Sequence, residues 1–215
     1  MVQSLSLALA LLQTGVPFAS DVEAFRKLDA AHPPRDGMIL FVGSSSFTRW
    51  TDLAKAFPGR RVLNRAFGGS TLLDLTRFER SVIFAYKPAQ IVIYCGENDF
   101  AVDPKMGPRT VVERFAKLYG DIRWRFPKTP LIYVAMKPSP SRFAMYGKFV
   151  QANRTIQRAL TQSPYNQYLD PGPQMLGKDG TPNPAIFGPD KLHMNAKGYA
   201  IWTRLLKPLL VKTTP

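Results

Sequence analysis

The 215-residue chain is long enough for one domain with a sizeable core and short for two. Its apolar fraction of 45%, together with 14 Phe, 8 Tyr and 3 Trp, excludes a disordered chain. The net charge of +14 indicates attraction to anionic surfaces. The Lys and Arg residues are spread along the chain and no nucleic-acid-binding motif is present, so we expect no nucleic-acid partner. One cysteine and two histidines exclude a structural zinc site.

The amino-terminal segment has some features of an export signal. Residues 5–12 form an apolar stretch of signal-peptide length, and Ala19 offers a cleavage point. No Lys or Arg precedes this stretch, however, and Pro17 stands where a small residue is usual. The stretch is too short to span a bilayer. We expect residues 1–19 to be a signal peptide of a periplasmic or secreted protein. The alternative is an N-terminal core helix in a cytoplasmic protein.

From residue 36 onwards, strand-like and helix-like segments alternate. Short apolar runs rich in β-branched residues predict five strands, at residues 38–42, 61–64, 90–95, 130–136 and 167–169. Apolar residues spaced close to 3.6 predict helices at residues 110–126, 149–160 and 195–210. This alternation is typical of a parallel sheet covered on both faces. We therefore predict a single domain, residues 20–215, with a flavodoxin-like α/β/α sandwich and a mainly parallel five-stranded sheet.

Some conspicuous residues are expected to be structural. Trp50 and Trp202 are typical core residues, and Cys95 lies in an apolar run that predicts a buried thiol. His32 precedes two prolines in an extended lead-in to the first strand, which makes it a poor candidate for a general base. Residues 171–189 hold five prolines and four glycines without periodicity, which predicts a functional or mobile loop.

The candidate site follows from the predicted sheet, because ligands bind at the carboxyl ends of parallel strands. Polar and glycine-rich segments follow the first three strands, and another polar segment precedes the last helix. These segments are Gly43-Ser44-Ser45-Ser46, Asn64 to Ser70, Gly96-Glu97-Asn98-Asp99 and Asp190-Lys191-Leu192-His193. Together they contain a hydroxyl nucleophile, amide donors, a base and a carboxylate to orient it.

Each of these segments has an ordinary structural explanation when taken alone. Gly-Ser-Ser-Ser is typical of a helix cap, and Gly68-Gly69 of a simple turn. Asp190 and His193 are three residues apart, a spacing that lets the carboxylate bind the ring while the other ring nitrogen faces outward. Glu97 and Asp99 are expected to have surface or hydrogen-bonding roles, since sequence neighbours of Asn98 point apart. The occurrence of all four segments in order favours a catalytic site.

In this order the segments resemble the SGNH, or GDSL-like, hydrolase family over roughly residues 21–212. The resemblance implies that Ser45 is the nucleophile and that Asp190 and His193 are the acid–base pair. It implies an oxyanion hole formed by the N–H groups of Ser45 and Gly69 and the side-chain amide of Asn98. It also implies ester hydrolysis through an acyl-enzyme, with no cofactor and no metal.

The first block also departs from the usual family pattern. Ser44 occupies the position where Asp is usual, and Ala66 one where Gly is common. Three adjacent serines leave Ser44 and Ser46 as alternatives to Ser45. The Gly-Ser-Ser-Ser block is similar to that of a bacterial subgroup, as are Pro33-Pro34 and the stretch from Lys137 to Arg142. An α/β-hydrolase elbow is excluded, because it requires Gly at the position of Phe47.

The substrate is expected to be a small-molecule or glycan ester. A compact family member without a lid suits a short-chain or O-acetyl ester. The alternatives are a lysophospholipase or thioesterase acting on lipid acyl esters, and an inactive module that binds an anionic glycan. Lys137 and Arg142 follow the fourth strand and are candidates for binding an anionic or sugar group. Solvated charges on a proline-stiffened loop are the alternative for these two. The sequence does not specify an oligomeric state.

Overall fold

A computed structural model describes residues 15–213. Five strands form one sheet in the order β2-β1-β3-β4-β5, and every pairing is parallel. The strands are β1 (Ile39–Gly43), β2 (Val62–Asn64), β3 (Gln90–Tyr94), β4 (Leu131–Val134) and β5 (Asn166–Leu169). Helices flank the sheet. The predicted α/β fold with a parallel five-stranded sheet is confirmed, and each strand begins and ends within two residues of its predicted bounds.

The helices of the described chain include the three that the periodicity predicts. They are α1 (Ala19–Ala31), α2 (Ser45–Thr48), α3 (Leu53–Ala56), α4 (Leu72–Val82), α5 (Glu97–Val102), α6 (Pro108–Arg125), α7 (Tyr146–Leu160), α8 (Gly172–Met175) and α9 (Ala196–Leu206). The last helix ends four residues before its predicted end, because Pro208 cannot continue the hydrogen-bonding pattern. Helix α4 was not predicted, although Thr71 and Asp74 form a capping box at its start.

The sheet separates two hydrophobic clusters. Leu40 and Ile91 face one side, where α1, α4, α6 and α7 pack. Phe41 faces the other side together with Trp50 and Trp202, whose ring centroids are 6.2 Å apart. Both tryptophans are in the core, as predicted. Strands β1, β3 and β4 are buried along their whole length, which is expected for a parallel sheet covered on both faces.

The structure refines the expectations for the proline-rich loop at residues 171–189 and for His32. The loop at residues 171–189 contains α8 and a short 3-10 helix (Pro184–Ile186), and Met175 within it is buried against Trp202. The described loop is therefore partly helical and anchored to the core. His32 is the C-cap of α1: its N–H donates to the carbonyl of Leu28, and its backbone is no longer helical, so the lead-in to β1 starts directly at the helix end. The apolar stretch of the predicted signal peptide lies outside the described residues. Within residues 15–213, no helix has the length and apolar character needed to cross a membrane.

Helices α4 and α6 contact each other through an acidic side chain in an unfavourable environment. One carboxylate oxygen of Glu79, Oε2, is buried with no hydrogen-bond partner among the described residues. Asp121 and Lys117 of α6 form an ion pair beside it. Burial, and after it the charge of Asp121, raises the pKa of Glu79 to about 7. Ionised Glu79 therefore destabilises this helix contact.

We expect Glu79→Gln to stabilise the protein at high pH only. The unfolded-state pKa is near 4.5, so the stability cost of ionising Glu79 develops between about pH 4.5 and pH 7 and persists above. Since solvent screens this partly exposed group, the gain in unfolding free energy at pH 8 should be about 1 kcal/mol, with none at pH 4. Denaturant unfolding at both pH values measures it, with the exposed Glu23→Gln as control. An equal gain at both pH values would contradict this explanation.

Candidate active site

The three serines after β1 point in different directions because of a sharp turn at Gly43. This glycine has φ of 132°, and a Cβ there would lie 2.0 Å from the carbonyl oxygen of Tyr94. The N–H of Ser44 donates to the same oxygen at 2.9 Å. The chain then enters α2. Ser44 and Ser46 are only 4% and 2% exposed, whereas Ser45 is half-buried. Of the three hydroxyls, that of Ser45 has the most open environment.

The side chains of Ser45, His193 and Asp190 form a continuous hydrogen-bonded chain. The Oγ of Ser45 lies 2.8 Å from Nε2 of His193. The other ring nitrogen, Nδ1, lies 2.6 Å from Oδ2 of Asp190. Residues separated by 148 positions in sequence are thus brought into contact at the carboxyl edge of the sheet. This arrangement can move a proton from the hydroxyl to the imidazole.

Asp190 also fixes the backbone that carries the histidine. Its Oδ1 accepts the N–H groups of Leu192 at 3.0 Å and His193 at 2.9 Å. Lys191, which lies between Asp190 and Leu192, adopts φ of 55° and closes a tight turn. Burial acts to raise the pKa of Asp190, but the hydrogen bonds from the His193 ring and from these N–H groups hold that pKa below its usual value. The carboxylate therefore stays ionised and orients the ring.

Arg49 is a charged residue at the site that the sequence did not indicate. Its Nη1 lies 3.6 Å from Oδ2 of Asp190, and its side chain is largely exposed. It follows Ser45 by four residues, at the end of α2. A solvent-exposed arginine at the end of a short helix is too common to indicate a site in sequence.

Two further segments border the nucleophile. A Cβ at Gly68 would lie 3.9 Å from the Cβ of Ser45, so the glycine segment runs directly beside it. The next residue, Gly69, has φ of 86° and is exposed. The Nδ2 of Asn64 donates to the carbonyl of Phe47 at 2.7 Å, tying this segment to α2. Gly68, the residue before Gly69, is thus the part of this segment that lies against Ser45.

The Asn98 amide is fully hydrogen-bonded within the protein. Its Nδ2 donates to the Oγ of Ser44 at 2.7 Å and to the carbonyl of Ser70 at 2.9 Å. Its Oδ1 accepts Nη2 of Arg142 at 2.8 Å. The arginine therefore fixes which end of the amide faces the serines. A substrate oxygen can receive an Asn98 hydrogen only in exchange for one of these two contacts.

A buried charged cluster forms the wall beside Asn98. Lys137 donates to Glu97 at 3.1 Å and to the hydroxyl of Tyr94 at 3.2 Å, and Arg142 donates to the same carboxylate at 3.2 Å. Lys137 is 1% exposed, so the alternative of a solvated charge is wrong for this residue. Burial lowers the pKa of Lys137, and the charge of Glu97 acts in the opposite direction. Two cations share one carboxylate.

The acidic neighbours of Asn98 have separate structural partners. Asp99 is fully buried and accepts the N–H of Leu72 at 2.9 Å and Nη1 of Arg114 at 2.7 Å. Burial raises the pKa of Asp99, and the hydrogen bond from Arg114 opposes that effect. The expectation of hydrogen-bonding roles for Glu97 and Asp99 is correct, but neither residue is on the surface.

The space enclosed between these residues is very small. A pocket of about 10 Å³ is lined by all three serines, Asn98, Lys137, Arg142 and neighbouring residues. That volume holds about one water molecule. Within residues 15–213, no group of three or more His, Cys, Asp and Glu side chains is arranged to hold a metal ion.

The sequence matches the model of the GDSL-like Lipase/Acylhydrolase family over residues 30–201. The chain belongs to this family. The match covers most of the chain, including every segment of the GDSL-like site described above. The family is one of ester-hydrolysing enzymes. Among curated proteins, no sequence matches the chain.

Solved structures share the GDSL-like fold at low sequence identity. A structure assigned as a platelet activating factor from Streptococcus pneumonia has a TM-score of 0.79 and 17% identity, covering 96% of this chain and 99% of that one. A GDSL-like lipase from Bacteroides thetaiotaomicron has a TM-score of 0.74 and 18% identity, covering 87% and 96%. A carbohydrate esterase family 3 structure from Talaromyces cellulolyticus has a TM-score of 0.61 and 14% identity, covering 80% and 95%.

We expect Gly43→Ala to be strongly destabilising. The new Cβ would overlap the carbonyl oxygen of Tyr94 in a backbone conformation that only glycine readily adopts. The loss should be about 3 kcal/mol or more in unfolding free energy, measured by denaturant titration. Gly120→Ala is the matched control: this glycine lies in the exposed interior of α6 with no atom near the added methyl, so stability should rise by about 0.5–1 kcal/mol. A neutral effect at Gly43 would show that the turn can adjust.

Proposed function

We propose that the protein is a serine carboxylic-ester hydrolase that works through an acyl-enzyme on Ser45. The hydrogen-bonded chain from Asp190 through His193 to the Ser45 hydroxyl is the observation that carries this proposal. A hydroxyl becomes a useful nucleophile only when a positioned base takes its proton, and the base needs an ionised partner to hold its orientation. The short distances along this chain of side chains support both conditions.

In the proposed reaction, the Oγ of Ser45 attacks the ester carbonyl carbon while Nε2 of His193 takes the hydroxyl proton. The tetrahedral intermediate collapses when His193 passes that proton to the departing alcohol oxygen. A water molecule then attacks the acyl-enzyme, with His193 again as base, and releases the acid and free Ser45. Asp190 stays ionised throughout and stabilises the imidazolium.

The oxyanion would be held by the backbone N–H groups of Ser45 and Gly69 and by the amide of Asn98. For Asn98 this requires release of the Ser44 hydroxyl from Nδ2. A neutral hydroxyl accepts a hydrogen bond less strongly than the carboxylate of the usual family Asp would. Ser44 therefore makes this exchange easier, while Arg142 keeps the amide turned towards the site.

The small enclosed space beside Ser45 and Asn98 supports a short acyl group. About 10 Å³ leaves no room for an alkyl chain without displacing Asn98, Lys137 or Arg142, which are held by the buried cluster. We therefore favour acetyl or similarly short esters, with a carbohydrate alcohol as in the carbohydrate esterase of similar fold. A lysophospholipase or thioesterase is the alternative.

A fluorophosphonate probe should label Ser45 alone. Peptide mapping identifies the modified residue, and Ser45→Ala should remove the label and lower kcat on p-nitrophenyl acetate by about 10⁴-fold or more. Ser46→Ala is the matched control, since its buried hydroxyl takes no part in the contacts of Ser45 with His193 or of Asn98 with Ser44. Labelling at Ser44 or Ser46 would reassign the nucleophile. Failure to hydrolyse any activated ester would favour the inactive glycan-binding alternative.

Activity should fall as the acyl chain grows. With p-nitrophenyl esters from acetate to octanoate, kcat/KM should drop by at least about tenfold, because each longer chain must displace fixed side chains around the pocket. Initial rates below saturation provide the comparison. A maximum at octanoate would contradict the short-acyl proposal and favour a lipid substrate.

A further inference from the structure

A basic groove begins beside the catalytic residues and runs along α9. It has a volume of about 850 Å³ and lies between the segment at residues 49–56 and the face of α9. Arg49 and Asn195 line its near end. Arg49 is the residue within 3.6 Å of Asp190, and Asn195 follows His193 by two positions. The groove therefore begins next to the Asp190–His193 pair.

The charge along this groove is strongly unbalanced. Four cations line it and only one carboxylate, Asp52, accompanies them. The cations are Arg49, Lys55, Arg204 and Lys207. The last three form no ion pair with any carboxylate of residues 15–213. A concave surface lined by charge of one sign attracts and orients oppositely charged ligands.

The groove also has a rigid aromatic floor. The ring of Tyr199 stacks on buried Trp50 with centroids 5.0 Å apart, and the Tyr199 hydroxyl donates to the carbonyl of Ser46 at 3.0 Å. The floor is thus tied to the turn that positions the nucleophile. From Asn195 to Lys207 the helix extends about 18 Å, long enough for an extended polymer segment.

We infer that this groove is a subsite for a polyanionic glycan whose ester group is presented to Ser45. The inference rests on the proposed ester hydrolysis. A flat bilayer cannot follow a concave groove, and a nucleic acid carries no carboxylic ester for the nucleophile. An acidic polysaccharide offers both spaced negative charges for Lys55, Arg204 and Lys207 and sugar rings for the aromatic floor.

The test compares two triple variants with the same change in net charge. Lys55→Glu/Arg204→Glu/Lys207→Glu reverses the groove, and Lys27→Glu/Lys128→Glu/Arg158→Glu reverses exposed cations elsewhere on the described surface. The measured quantity is the ratio of kcat/KM on O-acetylated polygalacturonate to kcat/KM on O-acetylated dextran. The groove variant should lower this ratio by about 30-fold, and the control by about threefold or less. For wild type, 1 M NaCl should abolish the preference.

A binding measurement separates this inference from the proposed hydrolysis. Calorimetry with unesterified polygalacturonate and the Ser45→Ala protein should show binding that the groove triple abolishes and the control triple keeps. If the wild-type chain fails to hydrolyse p-nitrophenyl acetate, the proposed function fails while this titration still decides the groove.

Equal losses of polygalacturonate binding in the two triple variants would overturn the inference, since net charge alone would then explain the binding. It would also be overturned if the groove triple lost binding to phosphatidylglycerol vesicles or single-stranded DNA but not to polygalacturonate. Should the groove triple fail to fold, Lys55→Gln/Arg204→Gln/Lys207→Gln replaces it, with an expected fall in the ratio of about fivefold.

Discussion

The Asp190 carboxylate is the interaction on which the arrangement of the site depends. One oxygen closes the turn that carries His193 by accepting two backbone N–H groups, and the other binds the ring of that histidine. Backbone shape and ring orientation are thus fixed by the same group. Because these hydrogen bonds keep its pKa low, the carboxylate is ionised whenever the protein is folded near neutral pH. Ser45 needs only to be held at a fixed distance from this unit.

The opposite wall of the site is held together by two cations that share one carboxylate. Lys137 and Arg142 both donate to the single carboxylate of Glu97, which is almost fully buried. Removing Glu97 would leave two buried cations without a counter-charge, so the shared carboxylate keeps the cluster rigid. That rigidity reaches Asn98 through Arg142 and limits the size of the pocket. The same residues thus orient an oxyanion donor and restrict the acyl group.

Much of the fold was predictable because its signals are local. β-branched runs marked all five strands, and apolar periodicity marked α6, α7 and α9. Helices α1, α2, α3, α5 and α8 were missed, since α1 buries only one side chain and the other four have only four to six residues. The capping box at the start of α4 is a local sequence signal from which that helix could have been predicted. Burial of Lys137 was not predictable, because it requires Glu97 and Arg142, which lie on other segments, to converge on it.

The sequence by itself determined the parallel sheet and the family of the chain. It also placed the candidate segments at the strand ends, since strand polarity alone puts every carboxyl end on one edge. Only the tertiary structure decided which of three serines faces His193, because the turn at Gly43 buries its neighbours. It likewise decided that Asn98 is already hydrogen-bonded and that Lys55 and Lys207 share one groove. These contacts join residues that are far apart in the chain. Tertiary packing determines them, and the spacing of the residues in the sequence does not reveal them.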